Sequence, residues 1–447
     1  MLAGLFILLL VLILLGAPVI VALDLVALGG FLLNEEVSPV EFPKRMFTFL
    51  DSFGLLALPY FVLAGELLSR SGMSKKLVQL ANALVGRWRG GLGQVSVLGC
   101  MAFGNVCGSA AAATAAIGGV LSPSMKEAGY KPGFTAAVIG CSGIIGSIIP
   151  PSMIMIVYGS MAQVSIGGLF LAGVLPGLLI TALMMGAVAI FANAGRVPSA
   201  NVGDPSTSLT EAKCWPNASP ATPAVGSLRA FLGAWDAVVA PVIILGGIFT
   251  GFFTATEAGV VACVYALVIS LFVRRTLKLR ELWGVLLNAA ITTAIVVGVI
   301  SAAGGLAYLI TFLRLDEWLR GALLSVSDNG YVVVALLLVV MIVLAMFIES
   351  LAVLVVLVPV IAQIGQAFGF DPLHFGMLIV VATQIGAVTP PVAVVLFVAT
   401  TVADARYDQT LRHCLPFIVA LLLGLVLLFF VPALATFLPG LVAGGAG

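Results

Sequence analysis

The amino-acid sequence predicts an all-α polytopic membrane protein made of two inverted-topology repeats. Three observations carry that expectation: an apolar composition, apolar runs of membrane-spanning length, and two proline pairs set 240 positions apart. Of the 447 residues, 62% are hydrophobic and only 9% charged, with a mean hydropathy of +1.23. Soluble domains carry about a quarter charged residues, so most of this surface does not face water. Apolar runs of roughly 17 to 25 residues recur from end to end, the length that crosses about 30 Å of hydrocarbon. A β-barrel would show short alternating segments instead. A formal charge of +1 argues against nucleic acid as a partner. The cysteines Cys100, Cys107, Cys141, Cys214, Cys263 and Cys414 lack metal-ligand spacing and read as small packed hydrophobes.

Residues 1–91 are expected to be scaffold helices. The apolar run 2–33 is interrupted at Gly16-Ala17-Pro18 and is either one kinked helix or two short ones. It lacks a basic n-region, so it reads as a retained membrane segment rather than a secretory signal. The polar "NEEVSPVEFPKRM" follows, then a span ending at Ser69. Beyond it stand Arg70, Lys75, Lys76, Arg87 and Arg89 with no acid among them, which marks a cytoplasmic end.

A first repeat is expected over 92–193. Residues 92–125 would make a helix about 50 Å long at 1.5 Å per residue, too long for one crossing. Basic residues at both ends point instead to a re-entrant hairpin turning at "GNVCGSAAAA". A proline-broken helix follows over 134–160, and 167–193 returns to the cytoplasm. Residues 194–230 turn abruptly to Pro, Ser, Thr and Asn and form the linker between the halves. The glycosylation pattern at Asn217 falls in this cytoplasmic loop and reads as chance. Residues 231–330 supply further scaffold helices. There Glu257 of "GFFTATEAG" is a scaffold or subunit contact or else a helix cap. "RRTLKLRELWG" reads as a membrane-surface segment with mostly solvated charges. The second repeat, 331–412, holds a hairpin over 331–365 turning at "FIES" and a broken helix over 375–402. A single C-terminal helix is expected over 413–447.

Residues 129–160 and 369–400 share seven identities without gaps: Gly129, Pro132, Ile139, Ile145, Gly146, Pro150 and Pro151 each recur 240 positions on. Charge gives the orientation. The block 310–329, equivalent to 70–89, sets Arg314 and Arg320 against Asp316, Glu317 and Asp328. "QAFGFD" replaces the basic "KEAGYK". Conversely, the segment after the second proline pair reaches Arg406 and Arg412, whereas the first reaches no charge. One unit inserted upside down has this signature.

Each proline pair frees backbone carbonyls: Pro150 and Pro151 cannot bond Gly146 and Ser147, nor Pro390 and Pro391 bond Gly386 and Ala387. An unpaired carbonyl in hydrocarbon costs several kcal/mol. Carbonyl and hydroxyl oxygens suit a dehydrated Na⁺, and the helix restarting after each break offers free N–H groups to an anion. Cation and carboxylate sites would then lie side by side at mid-membrane. A packing kink is the plain alternative. Glu349 and Ser350 are expected where the first hairpin has Gly108 and Ser109. A carboxylate at that depth ligates or balances a cation, carries a proton, or is a structural acid bonded to nearby backbone.

The stretches "LDSFGLLALPYFVLAGELLSRSG", "GSAAAATAAIGGVLSPSMKEAGY", "IIGSIIPPSMIMIVYG", "GFFTATEAG" and "FGFDPLHFGMLIVVATQIGAVTPPVAVVLFV" together resemble the large membrane subunit of tripartite ATP-independent periplasmic (TRAP) transporters, from about residue 4 to 440. The resemblance implies a Na⁺-driven, elevator-type importer in the inner (cytoplasmic) membrane of a bacterium or archaeon. Its partners would be a small membrane subunit of about four helices, expected as a separate polypeptide, and a soluble periplasmic binding protein that delivers an organic acid. By position it implies Na⁺ contacts at Ser109, Gly146, Ser147, Ile149, Ser350, Gly386 and Thr389, for at least two ions. Ser152, Thr383, Gln384 and Glu349 are the expected substrate contacts. The chain departs from the family at Ala382, commonly Asn, and at Ala393, commonly Gly; Thr383 and Gln384 would take over the lost amide's role. C4-dicarboxylates, keto acids and sugar acids all stay open as substrates.

A stand-alone Na⁺- or H⁺-coupled organic-anion symporter of related hairpin architecture is the nearest rival reading. An intramembrane enzyme is disfavoured by the composition, which has only His374 and His413 and no paired membrane aspartates. No filter-like repeat suggests a channel.

Overall fold

The computed structural model describes residues 2–34, 37–194, 233–313, 321, 327 and 329–444. The linker beyond Ala194, with Cys214 and Asn217, lies outside the described residues, as do Arg314, Asp316, Glu317, Arg320 and Asp328. Every regular element among the described residues is helical. Seven helices are long and apolar enough to cross a membrane, and a pair bent by 44° at the first proline break makes an eighth.

Gly16 takes φ +86° and Pro18 lacks a donor, so residues 2–33 fold as two helices, α1 (Leu2–Leu14) and α2 (Val19–Leu33). They turn back on each other, for a Cβ at Gly30 would lie 3.1 Å from Leu5. The polar stretch after them forms α3 (Glu41–Leu50), an amphipathic helix with no fully buried residue. Glu41 pairs with Lys44 (2.8 Å) and Arg45 (3.0 Å), and the Arg45 guanidinium sits 4.1 Å from the Tyr308 ring centre. Next come α4 (Ala57–Arg70) and α5 (Met73–Val85).

Residues 92–125 fold as two helices, α6 (Gly91–Cys107) and α7 (Ala110–Glu127), joined at Gly108 and Ser109. Gly108 takes φ +63°, which permits the tight turn. Then α8 (Pro132–Gly143) and its last turn α9 (Ile145–Ile148) lead to the first break, and α10 (Met153–Ala162) resumes after it. The return helix is α11 (Ile166–Asn193).

In the second half α12 (Trp235–Phe249) and α13 (Ala255–Val268) precede α14 (Leu279–Phe312). Glu257 belongs to a capping box that starts α13: it accepts from Thr254 N–H at 2.8 Å while the Thr254 hydroxyl accepts from Glu257 N–H. Not all of the "RRTLKLRELWG" charges are solvated. Arg274 turns inward to a two-pronged pair with the fully buried Asp236, whose carboxylate needs a counter-ion, and donates to the Gly233 carbonyl at 2.8 Å. Helix α14 is 34 residues long and unbroken, so the length that folds back at 92–125 stands here as one rod of about 50 Å.

The chain continues with α15 (Gly330–Phe347), α16 (Ser350–Ala367), α17 (Pro372–Val388) and α18 (Val394–Val402). The turn between α15 and α16 is Ile348–Glu349. Glu349, rather than Ser350, therefore stands 240 positions from Ser109, each as the residue before a helix. Where one helix is expected over 413–447, there are two: α19 (Tyr407–Phe430) and α20 (Ala433–Gly444). The break falls at Val431-Pro432, because a residue before proline is pushed out of the helical region.

Packing couples the halves. Helix α10 packs on α16 of the second hairpin, and α18 packs on α7 of the first; likewise α19 packs on α8 and α11 on α17. Helices α2, α3, α4, α13 and α14 pack together beside them, and α14 also touches α16.

The hairpins approach the broken helices backbone to backbone. A Cβ on Gly104 would lie 2.0 Å from Gly146 Cα, and one on Gly386 would lie 2.4 Å from Ala345 Cβ. Replacing Gly104 by Ala is therefore expected to destabilise by about 1–3 kcal/mol. Gly119, also helical but facing open space, should tolerate Ala or gain from it. Thermal unfolding of the two variants in the same detergent checks the contrast; equal melting temperatures would contradict the close approach.

Candidate functional site

The site is built from the two proline breaks and the two hairpin turns. Both Pro-Pro peptides are cis. Of the four carbonyls freed by the prolines, two find substitutes. The Ser152 hydroxyl donates to Ser147 O at 2.5 Å, and Thr389 N–H donates to Gly386 O at 3.0 Å. Among the described residues the carbonyls of Gly146 and Ala387 acquire no such donor. Each turn is also tied to the break beside it. Met153 N–H points to Gly108 O at 3.5 Å, and Ala393 N–H, the position 240 later, donates to Met346 O at 3.3 Å.

These four segments surround one cavity of about 90 Å³. Its walls come from both halves: Gly108 to Ala111 and Ser147 on one side, Ile348 to Leu351, Gln384 and Ala387 on the other. The volume suits about three waters or a small anion. Four polar side chains, Ser109, Ser147, Ser350 and Gln384, and one carboxylate, Glu349, line it, with no lysine or arginine among the described residues. Gln384 is buried, and its side-chain amide makes no hydrogen bond to a described residue.

The remaining expected residues do not line the cavity; all are buried except the half-buried Thr389. Gly146 lies against Gly104, Gly386 against Ala345, and Ile149 against Gly177. The Thr389 hydroxyl turns back onto Ile385 O at 2.6 Å. Thr383 does the same onto Ile379 and Val380, while its own carbonyl accepts the Ser350 hydroxyl at 3.1 Å. Ser152 bridges the first break, accepting from Met155 N–H at 3.4 Å as it donates to Ser147 O. A Ser just before a restarting helix is a capping signal, so this role was available in the sequence. Ala387, whose carbonyl the sequence marks as freed by the second proline pair, lines the cavity.

Ser152→Ala removes the cap and leaves Ser147 O with one partner fewer in a buried setting, an expected loss of about 1–3 kcal/mol. Thermal unfolding checks it, and an unchanged melting temperature would show that the bridge does not hold the break. Ala393 stands at φ +51°, a left-handed backbone that costs a non-glycine residue about 1–2 kcal/mol, so Ala393→Gly should raise the melting temperature.

Residues 6–434 match the family described as tripartite ATP-independent periplasmic transporter, DctM component. The isethionate TRAP transporter permease protein DctMQ of Oleidesulfovibrio alaskensis is 35% identical over 95% of this chain, which spans 64% of that protein's length. The sialic acid TRAP transporter large permease protein SiaM of Vibrio cholerae is 34% identical over 96% of each chain. The crystal structure of the Alcanivorax borkumensis YdaH transporter shares the fold, with a TM-score of 0.58 at 13% identity over 87% of this chain and 88% of that one. A chain matched along nearly its whole length to membrane permeases belongs with them and not with enzymes: it is a member of the DctM family, the large permease component of tripartite ATP-independent periplasmic transporters.

Proposed function

We propose that the chain is the large membrane subunit of a Na⁺-coupled importer of a small organic acid. In this reading a periplasmic binding protein delivers the acid and a small membrane subunit completes the transporter. The observation that carries the proposal is the single cavity shared by both hairpin turns and both proline breaks. No lysine or arginine lines it, so a carboxylate entering beside Glu349 needs positive charge from elsewhere. Na⁺ supplies it at the oxygens of Ser109, Ser147 and Ser350 and at the carbonyls of Gly146 and Ala387, each with a free lone pair. Helix starts at α7, α10, α16 and α18 add their N–H groups for the acid. Relatives named for isethionate and sialic acid both point to an organic anion.

The exchange of partners between halves, α10 on α16 and α18 on α7, supports two inverted repeats interlocked in one body. That body, α6–α11 with α15–α19, would move as an elevator against a scaffold of α1–α4 and α12–α14. The exposed Leu286, Leu287, Ile291 and Ile295 on α14 offer the small subunit an apolar face. Na⁺ ordering of both turns before the acid binds would keep half-loaded carriers from moving.

Proteoliposomes holding the chain with both partner proteins test the proposal. Replacing Na⁺ by K⁺ should cut uptake about tenfold or more. Ser109→Ala and Ser350→Ala should each raise the Na⁺ requirement about tenfold, one coordinating group's worth, with membrane insertion intact. Equal uptake in K⁺ would overturn the coupling ion. Equal uptake without the binding protein would assign the chain to the stand-alone organic-anion symporters.

A further inference from the structure

Away from the central cavity, a second cleft of about 510 Å³ opens where α8 and α19 begin, lined by Lys131, Pro132, Gly133, Asp408, Gln409, Arg412 and His413. Its chemistry is set by a difference between two matched helix starts. At the head of α17, Asp371 turns its carboxylate onto the N–H groups of Leu373 and His374, both at 2.9 Å. The residue 240 positions earlier is Lys131, which makes no side-chain cap, so Gly133 and Phe134 N–H have no acceptor among the described residues. One copy of the helix thus carries its own anion, and the other presents a cation beside the same pair of donors.

The surrounding groups reinforce that polarity. Neither Lys131 nor Arg412 has an acidic partner among the described residues. Of the acids at this end, Asp404 pairs with Lys126 at 3.8 Å and Asp408 with Arg406 at 3.2 Å, while Glu127 makes no ion pair among the described residues. His413 is held edge-on to Phe134, with Nδ1 at 2.8 Å from Gln409 O, which leaves Nε2 free. Two unpaired cations, an imidazole edge and an uncapped helix start converge on one cleft.

From this arrangement we infer that the cleft binds a phosphate group, and that the group is the headgroup of an anionic phospholipid. The apolar course of α19 favours the lipid source. Leu415, Val419, Leu422 and Val426 are all exposed at helical spacing directly beyond the cleft, a track along which an acyl chain can lie. The phosphate takes the place that the Asp371 carboxylate fills in the second half.

The test uses the purified full chain in mild detergent, titrated with phosphatidylglycerol, phosphatidylcholine or inorganic phosphate. Bound lipid is counted by native mass spectrometry and stability is followed by thermal unfolding. The wild type should retain one phosphatidylglycerol in preference to phosphatidylcholine and be stabilised by it. Arg412→Ala should weaken that retention about fivefold, the worth of one basic group near a charged lipid. Lys131→Asp, which supplies the carboxylate in cis, should abolish it without lowering the lipid-free melting temperature. Unchanged retention in both variants would overturn the site. Stabilisation by inorganic phosphate equal to that by phosphatidylglycerol would overturn the lipid source and leave a free-phosphate site.

Discussion

A carbonyl that loses its N–H partner inside hydrocarbon is the constraint on which the arrangement rests. Water cannot repair the loss, and each orphan costs several kcal/mol, so every such group must find another partner or a ligand. The chain makes four orphans with two proline pairs and then treats them unequally. Ser152 and the Thr389 N–H cover the carbonyls of Ser147 and Gly386. Those of Gly146 and Ala387 stay open, one from each half; Ala387 and Ser147, the neighbour of Gly146, line a cavity that holds a carboxylate and, among the described residues, no basic side chain.

The rest of the structure keeps those openings in place. Glycine at 104, 146 and 386 lets hairpin and broken helix touch through their backbones, which fixes the breaks against rigid arms rather than mobile loops. The crossed packing of α10 on α16 and α18 on α7 makes each half complete the other's site. Outside this body the Asp236–Arg274 pair fastens α12 to the residues that follow α13. Loss of either partner would strand a charge in an apolar interior.

Much of this was legible in the sequence because proline and glycine act locally. Spacing of the two proline pairs, the over-long apolar run at 92–125 and the "FIES" midpoint led to the turns and breaks that form the cavity. Ser109, Ser147, Ser350, Glu349 and Gln384 were named and do line it. What escaped depended on distance or on backbone. Asp236 finds Arg274 across 38 residues, a pairing that composition does not reveal. The one-residue slip at Glu349 has no structural cause, since both turns are two residues long and keep the 240-residue offset, and the split at Val431-Pro432 followed from a local proline rule that the apolar run concealed.

Cryo-electron microscopy of the full chain in saturating Na⁺ and again in K⁺, at a resolution that shows bound ions, tests the coupling of broken backbone to cation most directly. Density within Na⁺–oxygen distance of the Gly146 or Ala387 carbonyl, present in Na⁺ and absent in K⁺, is the expected result. Breaks that bind nothing in saturating Na⁺, or helices that run straight through the proline pairs, would contradict it.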